Sequence, residues 1–133
     1  MSYVVVDTDV FSRLFSGVDT DDYKSHLTGT VPTLSFTSVA EIYYGAAKAG
    51  WGDRRLTALE EAVRRYLVAP YDADMARLWG KLKSQAQSLG HPLGQPHQTN
   101  DLWIAATAIY YNCPLLTGNV RHFSGFPGLS LIS

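Results

Sequence analysis

The run Tyr3-Val4-Val5-Val6 does not alternate between apolar and polar residues, and it ends at Asp7. A β-branched stretch that is apolar on both faces predicts a strand covered on both sides. Further strands are expected at 33–36, at 67–69 before Pro70, at 115–117 and at 129–132. Between them, short helices are predicted over 9–16 and 19–28, separated by Gly17. A helix starting near Thr37 carries Val39, Ile42, Tyr43, Ala46 and Ala47 at helical spacing until Gly50 stops it. Another covers roughly 53–66. The most amphipathic stretch, 73–89, places Leu78, Trp79, Leu82, Ala86 and Leu89 on one face, with Gly90 as its stop. Residues 90–98 read as a loop from their Gly, Pro and Gln content. Residues 101–111 read as a nearly all-apolar, buried helix. Strands alternating with helices imply an α/β fold, a parallel sheet between two helical layers, in one domain over 1–133. In such folds the sites lie at the carboxyl ends of the strands.

Four polar residues fall at such ends. Asp7 follows the first strand, and Glu41 is expected in the first turn of the helix after the second. Asp101 opens the apolar helix, and Asn119 follows the strand at 115–117. Carboxylates about 4 Å apart repel by roughly 4 kcal/mol at an effective dielectric of about 20. That is enough to raise one pKa by about three unless a cation intervenes. Oxygen ligands without a His or Cys cluster favour Mg²⁺ or Mn²⁺ over zinc. Each residue also has a plainer reading. Asp7 could be a simple N-cap, and Ser38-Val39-Ala40-Glu41 matches a capping box. Asp101 could serve the helix dipole, Asp9 could be a solvated helix-start residue, and Asn119 a turn or N-cap residue. Arg121 reads first as an exposed helix-flanking residue and His122 as a surface or structural residue of a turn. Asp101 is the sharpest case, because an acid at the mouth of a buried helix is costly unless something pairs with it.

Four segments taken together carry a resemblance: Val5-Val6-Asp7-Thr8-Asp9-Val10, Ser38-Val39-Ala40-Glu41-Ile42, Asn100-Asp101 with Leu102 to Ala108, and Leu116-Thr117-Gly118-Asn119-Val120-Arg121-His122-Phe123. In this order and spacing they resemble the motifs of PIN-domain nucleases, and more specifically the VapC toxins of bacterial toxin–antitoxin pairs. The resemblance implies a three-layer α/β/α domain and endoribonuclease activity that depends on Mg²⁺ or Mn²⁺. It also implies a homodimer and inhibition by a VapB-type antitoxin. Asp7, Glu41 and Asp101 fall on the family's acidic, metal-holding positions. Asn119 stands where many PIN domains carry a fourth acid; it offers a carbonyl oxygen but no charge, which puts tight binding of a second metal in question. Thr8, Ser38 and Thr117 would be supporting hydroxyls, or would merely satisfy nearby backbone.

Two other functions compete. Residues 4–10 also resemble the opening motif of haloacid dehalogenase-type phosphohydrolases, and Leu115-Leu116-Thr117 resembles their second. That family then needs a lysine and a late acidic pair, but the sixteen residues after Thr117 contain no Lys, Asp or Glu. The other competitor is a catalytically idle PIN-like binding module, a reading that the neutral residue at 119 leaves open. The formal net charge of −1 means that RNA must be gripped by a local groove or a metal and not by a general basic surplus. A single cysteine, Cys113, excludes an intrachain disulfide, and no stretch has the length of a signal-peptide core or a membrane span. A cytoplasmic protein is the expectation. Tyr43, Tyr44, Trp51, Tyr110 and Tyr111 are candidates for a dimer or antitoxin surface, with Trp51 foremost because it falls beyond a helix end.

Overall fold

Asp7 ends the central strand of the sheet, and the strand order on either side of it fixes where a site can form. The computed structural model describes residues 2–18 and 20–132. Strands β1 (Ser2–Val6), β2 (Thr30–Leu34), β3 (Leu67–Val68), β4 (Leu115–Leu116) and β5 (Leu131–Ile132) form one parallel sheet in the order β3-β2-β1-β4-β5. The chain builds outward from β1 through β2 to β3, then crosses to β4 and β5 on the other side. The carboxyl ends of β1 and β4 therefore flank the point where the winding direction switches, which is where open α/β sheets leave a crevice.

The helices are α1 (Thr8–Ser16), α2 (Asp21–Leu27), α3 (Phe36–Lys48), α4 (Asp53–Arg64), α5 (Ala73–Leu89), α6 (Thr99–Tyr110) and the short α7 (Val120–Phe123). Successive residues of a strand face opposite ways, and the core divides accordingly. Val5 and Leu115 pack with Leu82 and Ala86 of α5 and with Leu102, Ile104, Ala105 and Ala108 of α6. Val4, Val6 and Leu116 pack on the other face with Val10 and Phe11 of α1, Ile42 and Ala46 of α3, and Leu59 and Val63 of α4. The expected three layers follow from this division. Val4, Val5 and Val6 are each at most 2% exposed, which accounts for their lack of alternation.

Several element boundaries differ from the sequence expectation, for local reasons. The second strand runs over Thr30–Leu34 and not 33–36. Pro32 lies inside it and pairs with Val4, in a part of β2 that precedes the ladder to β3, which starts at Thr33. A missing N–H is tolerated there. Phe36 is instead the first residue of α3 and is 52% exposed, because the Ser35 hydroxyl accepts a hydrogen bond from the Ser38 N–H and starts the helix. The last helix of the core begins at Thr99, two residues before Asp101. The segment 90–98 is not plain loop. It holds two 3₁₀ turns, Pro92–Gly94 and Pro96–Gln98, the first capped by His91 Nδ1 accepting from the Leu93 N–H. On α5, Met75 is buried while Leu89 is 58% exposed, so the apolar face is displaced toward the helix start. Ala47 of α3 is likewise exposed. The helix expected over 19–28 is α2, and its expected first residue, Asp19, lies outside the described residues.

Gly94 lies against α5 closely enough that a β-carbon there would come within 2.9 Å of the Gln87 backbone nitrogen and 3.1 Å of the Ala86 carbonyl carbon. Helix backbone cannot yield as a flexible side chain can. Gly94→Ala is expected to cost about 1–3 kcal/mol. Gly80→Ala, inside α5 with nothing within 4 Å of the added carbon, is expected to gain up to about 1 kcal/mol. Thermal melts of the two variants check this, and a Gly94→Ala protein as stable as the parent would contradict the close approach.

Candidate active site

The end of β1 delivers Asp7 into the crevice. Its backbone N–H donates to the Leu116 carbonyl of β4 at 2.9 Å, which locks the strand end beside its neighbour. Asp7 occupies the N-cap position of α1, yet its side chain caps nothing. The carboxylate instead accepts a hydrogen bond from the Thr117 hydroxyl at 2.7 Å, in a residue only 4% exposed. The same hydroxyl accepts the Asn119 backbone N–H at 2.9 Å. Thr117, itself fully buried, thus fixes both the orientation of Asp7 and the entry into α7. The simple N-cap reading of Asp7 does not describe this geometry.

Burial pushes the Asp7 carboxyl up to about 6, and repulsion from Asp101 and Asp9 adds to the rise; the Thr117 hydrogen bond opposes it. Asp101, in the first turn of α6, is also raised. Burial is the main cause, the hydrogen bond and charge of His122 oppose it, and Glu41 and Asp9 repel. Asp7 is thus within electrostatic reach of Asp101, Asp9 acts on both, and Glu41 acts on Asp101. The charged groups that act on buried Asp7 are Asp101 and Asp9, whereas half-buried Asp101 also has His122 beside it.

Glu41 arrives by a different route. It lies in the second turn of α3, not the first, and is exposed. The helix is started by Ser35, so Ser38 and Glu41 do not form a capping box. Ser38 is fully buried, and its hydroxyl accepts from both Thr8 Oγ1 and Ser35 Oγ at 3.0 Å. This relay ties the start of α1 to the start of α3, and so sets Glu41 relative to Asp7. Thr8, Ser38 and Thr117 bond chiefly to one another's neighbours across the site, beyond satisfying their own backbone.

His122 is the residue whose placement the sequence obscured. It lies in α7, three residues after Asn119, and not in an open turn. Its Nδ1 is 3.0 Å from the Asn119 amide nitrogen and 3.4 Å from Asp101 Oδ2. One ring nitrogen serves one partner at a time. Unprotonated, it accepts from the Asn119 amide; protonated, it donates to Asp101. The i, i+3 spacing of Asn119 and His122 was the available signal, hidden because four residues are too few for a helical pattern to register. Asp9 is exposed as expected, but it reaches both buried acids electrostatically. Arg121 is exposed.

The carboxylate and amide oxygens of Asp7, Asp101, Glu41 and Asn119 are hard donors, the kind that suit a divalent cation. Among the described residues, no group of three or more His, Cys, Asp or Glu side chains is gathered into a ready-made ligand cage. Mg²⁺ is compatible with such an arrangement, since it keeps several waters and needs only one or two carboxylates.

A sequence model described as "PIN domain" matches residues 4–128. The chain is 33% identical over 117 residues to Ribonuclease VapC5 of Mycobacterium tuberculosis, covering 85% of this chain and 80% of that protein. It is 31% identical over 90 residues to Ribonuclease VapC2 of Haemophilus influenzae, covering 68% of this chain and 65% of that relative's length. In fold it is similar to VapBC2 from Rickettsia felis, solved bound to a DNA fragment from its promoter. The TM-score is 0.83 at 24% identity, over 98% of this chain and 97% of that one. With a family model spanning nearly its whole length and a relative 33% identical over most of both chains, the chain belongs to the PIN-domain family.

Proposed function

We propose that this chain is a divalent-metal-dependent endoribonuclease, the toxin of a type II, VapBC-like toxin–antitoxin pair. The observation that carries the reading is the burial of Asp7, whose carboxyl is repelled by Asp101 and bonded by the neutral Thr117 hydroxyl. Relatives named as ribonucleases support the activity, and relatives solved as VapBC complexes support a VapB-type antitoxin as partner.

Asp7 and Asp101 would hold Mg²⁺ or Mn²⁺, with Glu41 reaching it through water or serving as the base. The bound cation supplies an acidified water and offsets the charge on the phosphate. Thr117 keeps one Asp7 oxygen engaged and so aims the other into the crevice. Asn119 is placed to position a water or the scissile phosphate through its amide. His122 Nδ1, proton-bearing when it pairs with Asp101, steadies that carboxylate. The exposed position of Glu41 suits a group that must accept a proton from water and release it to solvent.

A homodimer is part of the same reading. Tyr3, Leu67, Val68 and Tyr111 leave apolar surface uncovered around the outer strand β3, and Phe36 packs against Tyr71 at a tilt, both residues exposed. Of the aromatics considered for partner contact, Tyr44 and Tyr111 are exposed and Tyr43, Trp51 and Tyr110 are half-buried. Among the described residues, no helix is long and apolar enough to cross a membrane; action on RNA in the cytoplasm belongs to the proposal.

Asp7→Asn and Asp101→Asn are each expected to fold and to lose RNA cleavage by about 100-fold or more, the scale of removing one group that stabilises transition-state charge. Cleavage of total RNA with Mg²⁺, and with EDTA as control, measures this; full activity in either variant would exclude that residue.

A second test needs no substrate. Because the folded pKa of Asp7 is raised to about 6, ionising it costs the metal-free protein stability. The cost is absent below about pH 4, grows through the interval up to about pH 6 and is complete above it. Asp7→Asn should therefore stabilise the metal-free protein above about pH 6 by up to about 3 kcal/mol, and do little below about pH 4. Mg²⁺ should raise the melting temperature of the parent more than that of the variant. An equal response to Mg²⁺ in both would count against Asp7 as a ligand.

A further inference from the structure

The mouth of the site does not end at the acids. Thr8 and Glu41 also line a cavity of about 460 Å³ between α1, α3 and α4, whose far wall is Phe15, Trp51 and Arg55. Trp51, just past the end of α3, stacks on Phe15 with ring centroids 5.9 Å apart and planes 22° from parallel. Phe15 in turn lies parallel to buried Phe11 at 6.2 Å. On the indole rests the Arg55 guanidinium, its carbon 3.8 Å from the ring centroid. The result is a layered column, anchored in the core through Phe11 and topped by a planar cation on an exposed residue.

Core packing explains Phe11 and Phe15. It does not require an arginine flat on a half-buried tryptophan in the same cavity as Glu41. Such a surface suits a nucleobase, because every base offers a π-face to an aromatic ring or a guanidinium plane. A stacked guanidinium still has N–H groups for a phosphate. With a formal net charge of −1, a local contact of this kind would add affinity that a general basic surplus does not supply.

We propose that Trp51 and Arg55 form a base-stacking subsite for single-stranded RNA, joined to Glu41 by the cavity they share with it and with Thr8. The inference rests on the nuclease reading and deepens it. An unpaired base beside the scissile phosphate lies on the column, and Arg55 takes a flanking phosphate. Substrate is thereby selected for unstacked bases more than for sequence.

The test compares the full chain with its Trp51→Ala, Trp51→Phe, Arg55→Ala and Arg55→Lys variants. Binding of short single-stranded oligoribonucleotides is measured in the Asp7→Asn background, and KM and kcat in the active background. Loss of one stacked base is expected to weaken binding and raise KM by about 5- to 150-fold for Trp51→Ala, with kcat little changed. Trp51→Phe should keep part of the affinity, Arg55→Lys should fall between parent and Arg55→Ala, and duplex RNA should be bound alike by all. Melting temperatures identify a variant that weakens binding only by unfolding; Trp51→Phe at parental stability with parental RNA affinity, alongside an equally unaffected Arg55→Ala, overturns the subsite. Unchanged RNA affinity combined with lost binding of a protein partner would assign the cavity to that partner and overturn the RNA assignment. A parent chain that cuts no RNA in Mg²⁺ fails the nuclease reading, and the subsite with it.

Discussion

A carboxylate that is 4% exposed is expensive to ionise, and Asp7 is placed where the fold cannot avoid burying it. It terminates the strand on which the rest of the sheet is built, pinned by its own N–H to β4. Two neighbours on either side and helices above and below close off the solvent. Among the described residues, the side chain bonded to it is the Thr117 hydroxyl, which is neutral. Asp101 arrives on the most apolar helix of the chain and makes the electrostatics worse. The molecule thus stores an unfavourable concentration of negative charge at the one place its topology opens a crevice, and the remaining features of the site either orient that charge or moderate it.

Orientation is the work of hydroxyls. Thr117 ties Asp7 to the backbone at Asn119, and Ser38 ties Thr8 to Ser35. Four elements, β1, α1, α3 and the segment after β4, are thereby coupled through short neutral side chains that add no charge to an already strained site. Moderation falls to His122, which stands between Asn119 and Asp101 and can favour one or the other with a single proton.

Much of this was legible from residues alone, and the parts that were not have physical causes. The doubly buried strand showed in the three valines, and Asp7 and Asp101 stood out because one follows that strand and the other lies in the first turn of the apolar helix. What failed was local geometry that tertiary pairing decides. β2 starts before the expected strand, and Pro32 sits in the half of it that has no second neighbour yet. Ser38 and Glu41 look like a cap, because sequence spacing cannot tell which of Ser35 and Ser38 starts the helix. His122 looked peripheral because a helix of four residues leaves no periodicity to read. Trp51 was conspicuous in the sequence, but only the structure pairs it with Arg55, four residues on across a helix start.

The brevity of the outermost strands also matters for how this molecule associates. β3 and β5 have two residues each, so the sheet ends with very little unsatisfied backbone along either border. A long bare border invites strand-to-strand addition and, eventually, aggregation. Here other chains are left to engage through side-chain surfaces instead. Such contacts can be made and released without disturbing the sheet.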